Sequence, residues 1–256
     1  MDIQPHQPLN VLLLGDNCED VYRYGTVDRI SPEAPVPVFR FEREELRPGM
    51  AGNVRANLIN LGCDVRCYLS EASVKTRFID IRSRQHMLRV DDDRISPALE
   101  FTDIDPQDLI WAQAIVISDY AKGFIDGRLL RDLRRNYQGP MFIDTKQPDL
   151  GRLQGYIVKI NESEHRARSS TADVMIVTLG SRGAMLLEAR QPERTFPAPR
   201  VDVSDVCGAG DTFLAALTRE YLMAGDLARA TAFAVRAAAV TVQHLGVYAP
   251  RLEEIQ

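Results

Sequence analysis

"DVCGAGDTF" (residues 205–213) places a glycine-rich turn between two aspartates and runs straight into an apolar, helix-forming stretch. The glycines permit backbone conformations that other residues resist, and a helix that starts there directs unpaired N–H groups and a partial positive charge outward. Such a terminus suits a phosphate. Asp211 stands in the first helical turn, where a carboxylate also stabilises the helix itself. Beside a phosphate cradle it gains a second use: it can take a proton from an alcohol as that alcohol attacks a phosphoryl group held by the glycine amides. The plain alternative is a tight turn with no ligand.

Working outward, apolar runs alternate with helical patterns. "VLLLGD" (11–16), "AIVISD" (114–119), "MFIDT" (141–145), "YIVKIN" (156–161) and "VMIVTLG" (174–180) are short and end in small or polar residues, as buried parallel strands do where they open into loops. Helical spacing marks 52–62, 127–136, 210–225 and 227–246. The pattern predicts an α/β fold of three layers, with ligands beyond the carboxyl ends of the strands. One segment, "YGTVDRISPEAPVPVFRFERE" (24–44), holds three prolines and then alternates, which predicts a small β-flap beside the main body. Residues 76–93 read as two further β-runs around "SRQH" and join that flap or extend the sheet edge.

Composition narrows the function. The chain has 256 residues, 45% of them hydrophobic and 26% charged, as expected of one large globular domain over 1–256. Its formal charge of −5 argues against a nucleic-acid partner, because such binding rests on dense positive charge. No apolar run approaches the roughly 20 residues of a membrane span, and "MDIQPHQPLN" lacks a signal-peptide core, so a cytoplasmic location is expected. Cys18, Cys63, Cys67 and Cys207 have no CxxC spacing and read as reduced structural thiols.

With these segments in order, the sequence resembles the ribokinase-like (PfkB) carbohydrate kinases. "DVCGAGDTF" is similar to their C-terminal signature, "RPGMAGNVRANLINLG" (47–62) to their second block, "NESE" (161–164) to their NxxE motif and "VTLGSRGAML" (177–186) to their nucleotide-side strand and turn. "GDNCEDVYRYG" (15–25), "RISPEAPVPV" (29–38) and "SDYAKG" (118–123) resemble one branch, the D-glycero-β-D-manno-heptose-7-phosphate kinases, which also form the kinase half of bifunctional ADP-heptose synthases.

The resemblance implies a ribokinase-like three-layer sandwich with a mostly parallel central sheet and a small β-flap lid. It implies ATP-dependent phosphoryl transfer to a sugar or sugar phosphate, with ATP and Mg²⁺ as cofactors and K⁺ as a further cation. Asp211 would be the base, and Gly208, Ala209 and Gly210 the anion hole. Asp20, Gly49 and Asn53 would hold the sugar, with Lys122 as a further substrate or phosphate contact. Asn161 and Glu164 would organise water and Mg²⁺ about the phosphates, Thr178, Gly180 and Gly183 would receive the nucleotide, and Asp205 matches a monovalent-cation position. Read on their own, Asp20 and Asn53 could equally be turn or cap residues and Glu164 a solvated helix charge. Arg29 and Arg47 could reach a distal phosphate or pair with the glutamates of 42–45. "RVDDD" (89–93) reads as an acidic strand end.

Several positions depart from the pattern. Gly49-Met50 stands where the family has Gly-Gly, the connections 69–76 and 161–174 are short, and Arg236 falls on the nucleotide side. These departures keep a second expectation open, a catalytically silent sugar- or nucleotide-binding protein of the same fold. No nucleotidyltransferase segment is recognisable, so nucleotide-sugar synthesis is expected to need a separate protein. The flap's alternating edge is expected to pair with another copy in a homodimer.

Overall fold

The apolar runs that end in polar residues become the centre of one sheet. In the computed structural model, which describes residues 8–255, the elements begin with β1 (Leu9–Gly15), β2 (Asn17–Ile30), β3 (Pro37–Met50), α1 (Ala51–Asn60), β4 (Cys63–Leu69), β5 (Ser73–Asp80) and β6 (His86–Asp92). They continue with α2 (Pro106–Trp111), β7 (Ala114–Asp119), α3 (Gly127–Asn136), β8 (Met141–Thr145), β9 (Ile157–Asn161), α4 (Glu162–Ala167), β10 (Val174–Thr178), β11 (Ala184–Glu188), β12 (Arg194–Phe196), α5 (Ala209–Ala224) and α6 (Leu227–Thr241). Residues 1–7, most of the stretch read above for a signal sequence, lie outside the described residues, as does residue 256.

The main sheet has eight strands in the order β12-β11-β10-β9-β8-β7-β1-β4. All neighbours pair in parallel except β11, which is antiparallel to both β10 and β12. Alternate residues of β1 feed two cores: Val11 and Leu13 pack with α1, α5 and α6, and Leu12 and Leu14 with α3 and the α2 region. A strand buried on both faces needs this unbroken apolar run, which is why the sequence lacks period-two alternation there. The result is the expected three-layer α/β sandwich.

A second sheet of four strands, β3-β2-β5-β6, stands off one end of the first. Asp16 is the single residue between β1 and β2. The chain can turn so sharply because Gly15 lies against β7, where an added Cβ would come within 2.5 Å of the Ser118 carbonyl oxygen. Pro32 and Pro35 occupy the β2–β3 connection and Pro37 opens β3, an edge strand on which a missing N–H costs no ladder bond. The two segments expected in a flap fall in this sheet, which also takes in residues 17–23 and 45–50 because β2 and β3 pair from Asn17↔Met50 to Ile30↔Pro37. Three residues join β4 to β5, and that short connection lets β5 pair in parallel with β2.

Candidate active site

The carboxyl ends of β1, β7, β8 and β9 bring a row of buried polar side chains together: Asp16, Asp119, Asp144 and Lys159. The N-terminus of α5 points into the same region. Gly208 caps α5 with a left-handed backbone (φ 78°) and no side chain caps the helix. By position, the first-turn N–H groups have no intrahelical partners, although Ala209 N–H donates to the Val206 carbonyl oxygen at 3.4 Å, and a terminus of this kind suits an anion. Gly208 is required sterically as well, because a Cβ there would come within 2.7 Å of the Asn53 amide nitrogen.

Asp211 follows directly and is 7% exposed. Asn53 Nδ2 donates to its Oδ2 at 2.8 Å, and the Tyr120 hydroxyl donates to its Oδ1 at 3.3 Å. Burial pushes the Asp211 carboxyl up to about 6, and the Asn53 bond works against that rise. The Asp211 charge in turn drives the Tyr120 hydroxyl well above its ordinary value, so Tyr120 stays a donor. Asn53 is itself fixed: Asn57 Nδ2 donates to its backbone oxygen (2.8 Å) and side-chain oxygen (3.1 Å), and Thr212 Oγ1 donates to Asn57 Oδ1 at 2.8 Å. Tyr120 is set from below, since its backbone N–H donates to Asp16 Oδ2 at 2.7 Å.

On one side of this carboxylate a cavity of about 570 Å³ opens between α5, α6 and the β10–β12 turns. Thr178, Gly180, Gly183, Ala209 and Gly210 all line it, with Phe213, Val235 and Val242 supplying apolar wall. Gly183 (φ 94°) cannot be replaced here, because a Cβ would come within 1.9 Å of the Phe196 carbonyl oxygen. Arg236, expected on this side, is exposed and stacks over Phe233 instead: the helical period turns it away from the wall that Val235, Ala238 and Ala239 form.

The remaining expected residues are held more tightly than free ligands would be. Asn161 and Glu164 form the capping box of α4: Asn161 Oδ1 accepts from Glu164 N (2.9 Å), and Glu164 Oε2 from Asn161 N (2.7 Å). The other Glu164 oxygen pairs with Lys146. Among the described residues no group of three or more His, Cys, Asp or Glu could hold a metal ion. The carboxylate of Glu164 and the amide oxygen of Asn161 are oxygen donors of the kind a hard cation takes. Asp205 spends both oxygens on backbone N–H groups, Cys207 at 3.0 Å and Gly246 at 2.9 Å, and so ties the glycine turn to the loop after α6.

Asp20 is buried and ion-paired with Arg77 at 2.5 Å, and its Oδ2 lies 2.6 Å from where a Gly49 Cβ would stand. Lys122 bonds Ser73 Oγ at 3.0 Å and pairs with Asp93, which ties the body to the second sheet. Arg47 donates to the carbonyls of Leu245 (2.8 Å) and Val247 (3.3 Å) and to Glu45. Arg29 is exposed near the far end of β2. In "RVDDD", Asp91 pairs with Arg89, Asp92 with Arg94 and Asp93 with Lys122, as an acidic strand end would.

Met50 stands where a second glycine was expected, and its backbone is one that suits glycine. It sits at φ 50°, ψ −130°, a region that favours glycine, directly before α1. Sequence reasoning passed over Tyr120, Asp144, Lys146 and Lys159. Each lies just past or within a strand that was legible, yet an isolated lysine or tyrosine there carries no spacing signal. Burial works against the Lys146 charge, but Asp144, Glu164 and Asp211 together hold its pKa above the ordinary lysine value.

Comparison with known proteins agrees with this geometry. Residues 133–255 match the model described as pfkB family carbohydrate kinase. The bifunctional protein HldE of Hyphomonas neptunium is 30% identical over 303 aligned positions that cover 96% of this chain and 62% of the relative. HldE of Yersinia pseudotuberculosis (serotype O:1b) is 31% identical over 291 positions, covering 92% and 60%. The chain therefore spans about six tenths of the length of these curated relatives. In the first alignment, 303 positions against 256 residues mean that at least 47 positions of the relative have no counterpart here. Among solved structures, Arabidopsis thaliana ribokinase complexed with ribose and ATP superposes with a TM-score of 0.73 at 15% identity, covering 97% of this chain and 98% of the other. Phosphofructokinase-2 from Escherichia coli in complex with potassium gives 0.74 at 16%, covering 98% and 97%. At such identities these two establish a ribokinase-like fold.

Proposed function

We propose that this chain, residues 133–255 of which match the pfkB family carbohydrate kinase model, is an ATP-dependent sugar kinase whose acceptor is D-glycero-β-D-manno-heptose 7-phosphate and whose product is the 1,7-bisphosphate. The observation that carries the reading is Asp211, a buried carboxylate raised to about 6, one residue beyond the Ala209 and Gly210 that line the cavity. At neutral pH such a group is mostly ionised and basic enough to take a proton. Asp211 accepts the proton of the sugar's anomeric hydroxyl, the hydroxyl oxygen forms its bond to the γ-phosphorus, and the bond from that phosphorus to the bridging oxygen breaks to release ADP.

The Gly208–Gly210 turn and the first N–H groups of α5 hold the transferring phosphoryl. Asn53 and Tyr120 fix the carboxylate, Asp20 and Gly49 face the sugar from the second sheet, and that sheet keeps water out. Magnesium, when bound, would neutralise phosphate charge, with Asn161 and Glu164 holding it through water. A potassium ion beside Asp205 would act on the same glycine turn, and replacing potassium by sodium in the assay tests it. The heptose branch is supported by "SPEAPVPV", "SDYAKG" and the HldE relatives at 30–31% identity. No helix among the described residues is long and apolar enough to cross a membrane.

The test is ADP release with ATP and Mg²⁺ against heptose 7-phosphate, fructose 6-phosphate, fructose, ribose and adenosine, with Asp211→Asn as control. Turnover on the heptose phosphate alone, lost in the variant, is the expected result. Turnover on another sugar would move the acceptor, and silence on all five would remove the kinase reading.

A further inference from the structure

Beneath the phosphate cradle lies a buried ion pair that the mechanism above does not use. Asp144 on β8 and Lys159 on β9 are direct partners in the strand register. Their side chains, 5% and 4% exposed, meet at 2.6 Å. The ammonium reaches up to the first turn of α5: a Cβ on Gly210 would come within 2.9 Å of Lys159 Nζ and 4.0 Å of Asp144 Oδ2. Stability alone is a poor reason for such a pair, because apolar side chains of the same volume usually do as well or better. Nor is the pair fully satisfied. Asp144 Oδ1 is buried without a hydrogen-bond partner, and Lys146 Nζ stands 3.9 Å away from it.

We propose that Asp144 and Lys159 are positioning residues for Asp211: Asp144 keeps the Lys159 ammonium paired with itself rather than with the base, and so keeps Asp211 able to accept a proton. The catalytic meaning of this inference rests on the kinase reading above. The groups that bear on Asp211 come from every element around it: Asn53 on α1, Tyr120 after β7, Asp144 and Lys146 from β8 and its loop, and Lys159 on β9. Asp20, on β2, acts on Tyr120. After burial and the Asn53 bond, the two charges that weigh on Asp211 are Asp144, which raises its pKa, and Lys159, which lowers it. Without Asp144, the ammonium loses its 2.6 Å partner and its charge, which already bears on Asp211, is left uncompensated. A cation that becomes a carboxylate's direct partner lowers its pKa by about 1–3 units.

The experiment reads Asp211 without turnover. In protein carrying aspartate labelled with carbon-13 at the side-chain carboxyl, the Asp211 resonance is identified by its loss in Asp211→Asn and titrated by NMR. The midpoint is expected near 6 in the unaltered chain, lower by at least about one pH unit in Asp144→Asn, and restored when Lys159→Met is added to that variant. An unmoved or higher midpoint in Asp144→Asn overturns the proposal, as does a double variant that stays as low as the single. Should Asp144→Asn not fold, Asp144→Ser, which keeps an acceptor for Lys159 without its charge, is read by the same criteria. The expected midpoints in a protein that phosphorylates no sugar would sink the kinase reading and leave the pair's role standing; turnover with an unmoved midpoint would do the reverse.

Discussion

At the scale of single residues, the base role proposed for Asp211 would tie activity and stability to the same proton. A base with a pKa of about 6 loses its function as pH falls, so kcat/KM is expected to drop about tenfold per pH unit below 6 and to level off above 7. Its effect on stability has the opposite sense. The folded pKa lies above the unfolded value of 3.8, so the folded chain binds more protons between the two and stability falls as pH rises through that window. Asp211→Asn should therefore abolish turnover yet stabilise the fold at pH 7.5, by on the order of 2–3 kcal/mol for a shift of about two pKa units. Urea midpoints compared at pH 7.5 and pH 5 should show that gain shrinking at the lower pH; a gain that does not shrink would mean the charge of Asp211 is not its source. Met50 offers a second residue-scale test. A non-glycine residue at φ 50° carries about 1–3 kcal/mol of backbone strain. Met50→Ala keeps that strain and gives up the buried side chain, for a loss of about 2–5 kcal/mol. Met50→Gly gives up the same burial but relieves the strain, so it should be the less destabilising of the two, the reverse of the usual order of Ala and Gly. If denaturant midpoints put Gly below Ala, the strain is not there.

Between elements, two cationic straps hold the second sheet to the body: Lys122 reaches from the loop after β7 to Ser73 and Asp93, and Arg47 reaches from β3 to the loop after α6. That loop also feeds Gly246 N–H to Asp205 and sets Val247 against Gly208, so Arg47 bears on the phosphate turn at one remove. Arg47→Met should cost about 1–3 kcal/mol, the worth of hydrogen bonds to a charged group, and should speed hydrogen exchange at the Gly246 amide at least tenfold. If it instead raised KM for sugar phosphates and left free sugars alone, Arg47 would be a phosphate ligand after all. Elements of this kind differ in how far a sequence discloses them. β7 and β8 were legible to the residue, because a strand buried on both faces must be continuously apolar and must stop at the polar residue that leaves the sheet. β11 and β12 are not legible, since "AMLLE" and "RTF" are too short and mixed for a period to appear. The glycine turn was legible for the same reason that it works, as only glycine tolerates its backbone and its close neighbours. The Asp144–Lys159 pair was not, because 15 residues separate its members and only the parallel register of β8 and β9 brings them together.

For the whole molecule, the second sheet raises the question of what covers its other face. Asp20, Tyr22, Arg47 and Arg77 lie on the face that carries the site contacts, so by strand alternation the next residues along face away. There Leu46, Val21, Thr76 and Val90 stand in register across all four strands, and Phe78 pairs with Leu88 one step along. Val21 is buried and Thr76 is polar, but Leu46, Leu88 and Val90 are 58%, 56% and 48% exposed, and exposed apolar side chains gathered on one face mark an interaction surface. The matching surface of a second copy is the simplest cover, since a two-fold interface sets one patch against itself. We therefore expect sedimentation at micromolar concentration to give twice 28.7 kDa, and the double substitution Leu46→Arg/Leu88→Arg to give the single mass with the main-sheet fold intact by circular dichroism. Like charges brought face to face at the centre of a patch cost several kcal/mol, enough to part a dimer of ordinary affinity. The unaltered chain sedimenting as a monomer would remove the dimer, while a dimer that survives both arginines would place the interface elsewhere. The distinction bears on catalysis, because β2 and β3 carry Asp20 and Gly49 on one face and the apolar row on the other. Pairing of the outer faces would hold these strands rigid while the sugar is bound, so the arginine variant should raise KM for the sugar more than KM for ATP.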